Sequence, residues 1–167
     1  GLATGVIAIM SLMFIFAISS LFALTMWEEV NTTIQNLDNT TVSQDVKDKI
    51  DLLTSRMLWA DKLFVAFFVA LLISYLISSV SLPSENPIFF LMFFGVLVLT
   101  TIIAMGLSNS WQWLINQSVV SYGAENLTFT TWFMRWLPII TFFVGISGAI
   151  LFYSRNKREG SVGGNFE

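Results

Sequence analysis

Few side chains in this 167-residue chain could do chemistry, and their types and spacing decide what kind. It contains no cysteine and no histidine. Its own residues therefore supply no disulfide, thiol nucleophile, cysteine-ligated metal or imidazole base, and none of the usual haem, copper or zinc ligands. Glu28, Glu29, Asp38, Asp45, Asp48 and Asp51 are close enough in sequence to gather a calcium ion, but they lack the alternating spacing of a dedicated loop. They read better as a solvated helix surface. Arg135 could bind an anion, or it could anchor a helix end by reaching toward the interface or toward Glu125 or Glu28. Tyr75 carries a hydroxyl that needs a partner wherever it is buried. There is no glycine-rich phosphate loop, nucleophile elbow or paired-carboxylate motif. The expectation is a protein without cofactor, metal or catalytic site.

The scarcity of chemistry follows from the elements that fill the chain. Hydrophobic residues make up 55% and charged residues only 11%, too few to cover a water-soluble surface. The apolar residues gather into four runs, Val6–Trp27, Leu63–Leu82, Ile88–Leu107 and Trp132–Tyr153. Each is long enough to cross a bilayer at 1.5 Å rise per residue, which takes about 20 residues. Among charged side chains, only Arg135 falls inside a run. The expected fold is all-α: a polytopic membrane protein with four transmembrane helices (6–27, 63–82, 88–107 and 132–153) in an up-and-down bundle. The first run lacks a basic leading segment and a small-residue cleavage site, so it is read as a retained helix. The net charge of −3, with no basic stripe, excludes nucleic acid as a partner.

All six tryptophans are expected on one side of the membrane: Trp27, Trp59, Trp111, Trp113, Trp132 and Trp136. Indole combines a large apolar face with one N–H donor and favours the interface, so these residues and Arg135 are read as interface anchors. The long connections 28–62 and 108–131 lie on that side. The link Pro83–Pro87 and both termini lie on the other. Arg155, Lys157 and Arg158 directly follow the last run, which points to cytoplasmic termini and outward long connections. Four acceptor triplets for N-glycosylation, beginning at Asn31, Asn39, Asn116 and Asn126, fall on the outer side. Asn39 and Asn126 are farthest from the bilayer.

The first long connection has helical periodicity. Trp27, Val30, Ile34 and Leu37 extend one face of the first helix. Beyond the turn Asp38–Thr40, Val42, Val46, Ile50, Leu53 and Met57 form a second apolar stripe, and Thr41 with Gln44 reads as a capping box. The first two helices are thus expected to extend into an extramembrane hairpin over 28–62, reaching about 15–20 Å past the membrane. The third helix is expected to continue outward to a stop at Gly123, followed by an irregular return over 124–131. Pro87 suits a first helical turn with Ser84 or Asn86 as cap, Pro138 should bend the fourth helix, and residues 154–167 form a basic, then flexible, tail.

Helices in lipid associate through close packing and hydrogen bonds. Ala66, Ala70, Ser74 and Ser78 recur every fourth residue in the second helix. Thr100, Ala104 and Ser108 do so in the third, and Gly145 with Ala149 in the fourth. These are the expected packing seams. The 16 phenylalanines are too many for four helices to bury, so some face lipid or another chain. Tetraspanins and claudins share a four-crossing plan but depend on loop cysteines, and small multidrug exporters need an intramembrane glutamate; this chain has neither. The expected function is that of a non-catalytic accessory or structural subunit, held by the lipid bilayer and by other membrane-protein subunits in a hetero-oligomer. The alternatives are a homo-oligomeric channel or transporter, and a cell-surface receptor or adhesion protein.

Overall fold

The computed structural model describes residues 1–81 and 87–162; most of the link Pro83–Pro87, with Ser84 and Asn86, and the tail from 163 lie outside the described residues. Seven α-helices run through them: α1 (Leu2–Gln35), α2 (Gln44–Met57), α3 (Ala60–Ser81), α4 (Pro87–Ile115), α5 (Ser121–Asn126), α6 (Thr128–Arg135) and α7 (Leu137–Val162). A single 3₁₀ turn, Ser118–Val120, precedes α5. There is no strand among the described residues. Four spans are long and apolar enough to cross a membrane: Leu2–Gln35, Gln44–Val80, Phe90–Ile115 and Leu137–Ser154. The chain is an all-α, multi-pass integral membrane bundle.

The long first helix organises the core. Val6, Met10, Met13, Ala17, Leu21 and Leu24 recur at spacings of three and four and are all buried. They pack against α3, α4, α5 and α7. Aromatic rings lock the middle: Phe16 meets Phe64 at 5.8 Å, Phe64 meets Phe133 at 5.1 Å, and Phe68 meets Phe133 at 4.7 Å. At 34 residues, α1 is about 51 Å long against a hydrocarbon thickness of roughly 30 Å. About 20 Å of helix therefore extends beyond the bilayer, and α2 folds back along it.

Several boundaries differ from the sequence reading. α2 and α3 are separated by one tightened turn, where the Trp59 amide bonds back to the Arg56 carbonyl at 3.1 Å. No proline or glycine stands there. The break joins a segment tied to α1 outside the bundle to one tied to α6 within it. α4 stops at Ile115 rather than Gly123, with the Gln117 amide closing on the Leu114 carbonyl at 3.0 Å. Gly123 lies inside α5, where a Cβ would sit 2.6 Å from the Leu21 carbonyl oxygen and 2.8 Å from Thr25 Oγ1. It allows close helix approach, and the return segment is helical rather than irregular.

The fourth crossing begins at Thr128, breaks at Trp136 and resumes at Leu137. Pro138 explains the break: without an N–H it leaves the Met134 carbonyl without its helical donor. The last helix then runs past Tyr153 to Val162, where a flexible tail was expected. Ser154–Glu159 contains no proline or glycine to break a helix. From Trp136 to Arg155 the chain rises about 28 Å, close to one hydrocarbon thickness.

Candidate functional site

Among the described residues no group of three or more acidic, histidine or cysteine side chains could hold a metal ion. The acids of the outer region are spread over α1 and α2. Asp45 pairs with Lys49 at 2.6 Å, Asp48 accepts from Gln44, and Asp51 accepts from Gln35 at 3.0 Å. What the fold builds here is a helical hairpin held by polar staples.

Its first staple is Lys47. This lysine is only 7% exposed and donates from Nζ to the carbonyls of Leu37 at 2.6 Å and Gln35 at 3.2 Å. These carbonyls end α1, where unpaired acceptors and the negative dipole end favour a cation. The Trp27 indole donates to Thr54 Oγ1 at 2.8 Å, which fixes the antiparallel register of α1 and α2. Lys47, Ile50, Thr54 and Met57 form the inward side of α2, whereas Val46 and Leu53 face out. The predicted apolar stripe was therefore rotated by about one residue, because Lys47 takes an inward position through its capping bonds. The predicted capping box does not form either. Ser43 is the N-cap residue and makes no side-chain bond, and Gln44 turns to Asp48. Lys47→Met keeps the apolar stem and removes both capping bonds, each worth about 1.5–3 kcal/mol for a charged donor. The expected result is loss of amide-exchange protection across α2 while α3, α4 and α7 keep theirs.

The second staple is Asp61, which the sequence reading did not single out. Its carboxylate accepts from the Phe129 amide at 2.9 Å and from the Thr130 amide and hydroxyl at 2.7 Å each. It caps α6 from another helix, where no residue of α6 does so itself. The weak available signal was an acid in the first turn of the second crossing, which local rules assign to its own helix.

The tryptophans separate into three groups. Trp59, Trp113, Trp132 and Trp136 are exposed, as anchors must be. Trp111 is 1% exposed and packs within the bundle, and its Nε1 has no hydrogen-bond partner. Trp27 belongs to the hairpin: it lies 11 residues, or about 16 Å, beyond Phe16 along α1, and Phe16 is level with the Phe64–Phe133 layer beside Trp132. Trp27 therefore stands farther out than Trp132, because α1 continues outward where the others turn back. Arg135 is exposed in the last turn of α6 and makes no ion pair among the described residues; its carbonyl accepts from Ser108 Oγ at 3.1 Å.

The small-residue rows also part company. Thr100, Ala104 and Ser108 are buried on α4, and Gly145 and Ala149 on α7. A Cβ on Gly145 would overlap the Leu97 side chain, so this glycine brings α4 and α7 together. The row on α3 does the opposite: Ala66, Ala70, Ser74 and Ser78 are all exposed. The buried side of α3 is instead Phe64, Tyr75 and Ser79, where two large rings fill the interior and the row of four faces out. Of the sequons, Asn39 and Asn116 are exposed. Asn31 lies within α1 with a buried, unpaired Oδ1, and Asn126 donates to the Tyr122 carbonyl at 2.9 Å.

Among the described residues the bundle interior is tightly packed. Between α1, α6 and α7, the cavity lined by Met10, Met13, Phe133, Leu137 and Thr141 holds about 10 Å³, at the threshold for one water. Larger spaces are surface grooves: about 500 Å³ beside Phe14, Ile18 and Trp113, and about 350 Å³ between the inner halves of α1 and α3. No protein-family model matches the chain, and neither a curated protein nor a solved structure shows significant similarity to it.

Proposed function

We infer that this protein is a non-catalytic structural or accessory component of a membrane assembly, acting through its helix faces and its stapled outer hairpin. The observation that carries this reading is the tight packing of the interior among the described residues. Two buried hydroxyls are spent on their own helices, Ser79 on the Tyr75 carbonyl at 2.8 Å and Thr100 on the Val96 carbonyl at 2.8 Å, and two tie neighbouring elements together, Ser108 on the Arg135 carbonyl at 3.1 Å and Thr130 on the Asp61 carboxylate at 2.7 Å. The remaining described core is mostly aliphatic and aromatic, and the space between α1, α6 and α7 has no room for a water file. Among the described residues, proton or ion movement through one copy has no continuous polar path to follow. In this reading the termini are cytoplasmic and the hairpin faces outward. The exposed Asn39 and Asn116 are then the accessible glycosylation acceptors.

A homo-oligomeric channel is favoured by one observation only, the exposed polar row Ser74 and Ser78 on α3, which could line a central pore between copies. Reconstitution decides between the two. Purified full-length protein in liposomes should give ion and proton fluxes equal to those of empty vesicles, and gentle extraction from native membranes should bring other chains with it. Flux that rises with protein content, together with extraction as a homo-oligomer alone, would refute the accessory reading.

A further inference from the structure

α1 has one side that nothing in the chain covers. Val6, Met10 and Met13 face α6 and α7, Phe14 and Ile18 face α4, Phe16 faces α3, and Leu21 and Thr25 face α5. The positions left over are Ala8, Leu12, Ile15, Ser19, Phe22 and Met26, all exposed. Their spacing alternates between four and three residues, the repeat of a helix that packs against another helix along its length. Ala8 and Leu12 border the same 350 Å³ groove as Ser74 and Ser78, so the outward row of α3 lies on the same side of the molecule.

The face continues beyond the bilayer, where lipid does not cover it. Val30 and Leu37 on α1 are 46% and 39% exposed, and Val46 and Leu53 on α2 are 43% and 47% exposed. Met26 precedes Trp27 by one residue, and Val46 and Leu53 precede Lys47 and Thr54 by one. The residues they precede join the two helices. In an antiparallel pair the same 100° step turns both sets toward one side of the hairpin. Four large aliphatic side chains on one face in water call for a protein partner.

Charge indicates which partner. On α1 the apolar seam is flanked by Glu29, and on α2 by Arg56; both are exposed, and neither forms an ion pair among the described residues. Two copies inserted the same way in one membrane are related by a two-fold axis along the bilayer normal. That operation lays α1 of one copy across α2 of the other. The Trp27–Thr54 register then puts Glu29 within about one helical turn of the other copy's Arg56. We propose that the protein forms a two-fold dimer with a second copy of itself through this face, with Val30, Leu37, Val46 and Leu53 forming a four-helix seam outside the membrane and the Ala66–Ser78 row forming the close contact within it. The dimer does not rest on the accessory reading and is compatible with further subunits on the other faces.

The absence of native cysteine makes the test direct. Full-length Val30→Cys/Leu53→Cys protein in liposomes should oxidise mainly to a covalent dimer. Thr32→Cys/Ser55→Cys, on the opposite side of the hairpin, should give only traces. In Förster transfer between labelled copies, Leu53→Asp should lower the dimerisation constant roughly tenfold or more, and Ala70→Leu with Ser74→Leu should act in the same direction. Glu29→Arg should weaken the dimer and Glu29→Arg/Arg56→Glu should restore it. Equal crosslinking by the two cysteine pairs, no restoration by charge exchange, or a monomer at high protein-to-lipid ratio would each overturn the proposal. So would crosslinking in native membranes to a foreign chain in place of a second copy.

Discussion

Replacing Gly148 with leucine is expected to be among the most damaging single changes to the bundle, whereas Gly106→Ala in the neighbouring helix should be harmless. The Tyr75 ring is 5% exposed and fills a slot between two glycines on different helices. A Cβ on Gly5 of α1 would sit 2.7 Å from its Cδ2, and a Cβ on Gly148 of α7 would overlap its hydroxyl end. With a glycine on either side of the ring, added volume at Gly148 meets the ring end directly and presses α3 from α7. Overpacking of this kind costs about 1–3 kcal/mol, occasionally more, out of a total stability of roughly 5–15 kcal/mol. Gly106 has no heavy atom within 4 Å of a built Cβ, and alanine there should gain up to about 1 kcal/mol from helix propensity. Unfolding by SDS in mixed micelles, followed by helix signal, measures both. Tyr75→Phe gives the complementary check. Its hydroxyl has no hydrogen-bond partner, and Ser79 donates to the Tyr75 carbonyl instead, so removing the oxygen should leave stability unchanged or raise it. A Gly148→Leu protein as stable as the parent would show that the slot is not a constraint.

Gly148, Gly145 and Gly123 also mark the limit of what the sequence discloses. Four crossings, the outer hairpin and the break at Pro138 were legible, because each rests on a local property: run length, 3.6-residue periodicity and a missing N–H. The facing of α3 was not. Its small residues and its rings have similar periodicity, and choosing which side turns inward requires knowing that Gly5 and Gly148 stand opposite Tyr75. The role of Lys47 was not legible for a related reason. A lysine beside an apolar stripe reads as surface until the α1 carbonyls it caps are in place. In lipid the inner and outer faces of a helix can be equally apolar, so polarity does not separate them as it does in water. The exposed heptad on α1 was hidden by the same ambiguity.

Asp61→Ala should bring the second large loss, and its consequences should appear in α6 rather than in the helix that carries the mutation. Thr130 is fully buried, and its amide and hydroxyl both donate to the Asp61 carboxylate, as does the Phe129 amide. Alanine leaves three donors at the start of α6 without an acceptor, where water reaches poorly. Unpaired buried donors cost about 1–3 kcal/mol each, so a total of roughly 3 kcal/mol or more is expected. The partial positive charge of the helix start adds to the preference for a carboxylate. Asp61→Asn should therefore fall between parent and alanine, because its amide group turns an N–H toward one of the donors it must satisfy. A double-mutant cycle with Thr130→Val isolates the side-chain pair, with an expected coupling of about 1–2 kcal/mol. α6 joins the return segment to the crossing that breaks at Trp136, so loss of this cap removes the cross-helix tie at its outer end. Amide exchange should rise first over Thr128–Arg135, while α1 and α4 stay protected. An Asp61→Ala protein within about 0.5 kcal/mol of the parent would assign α6 to the packing of Phe133 and Met134 alone.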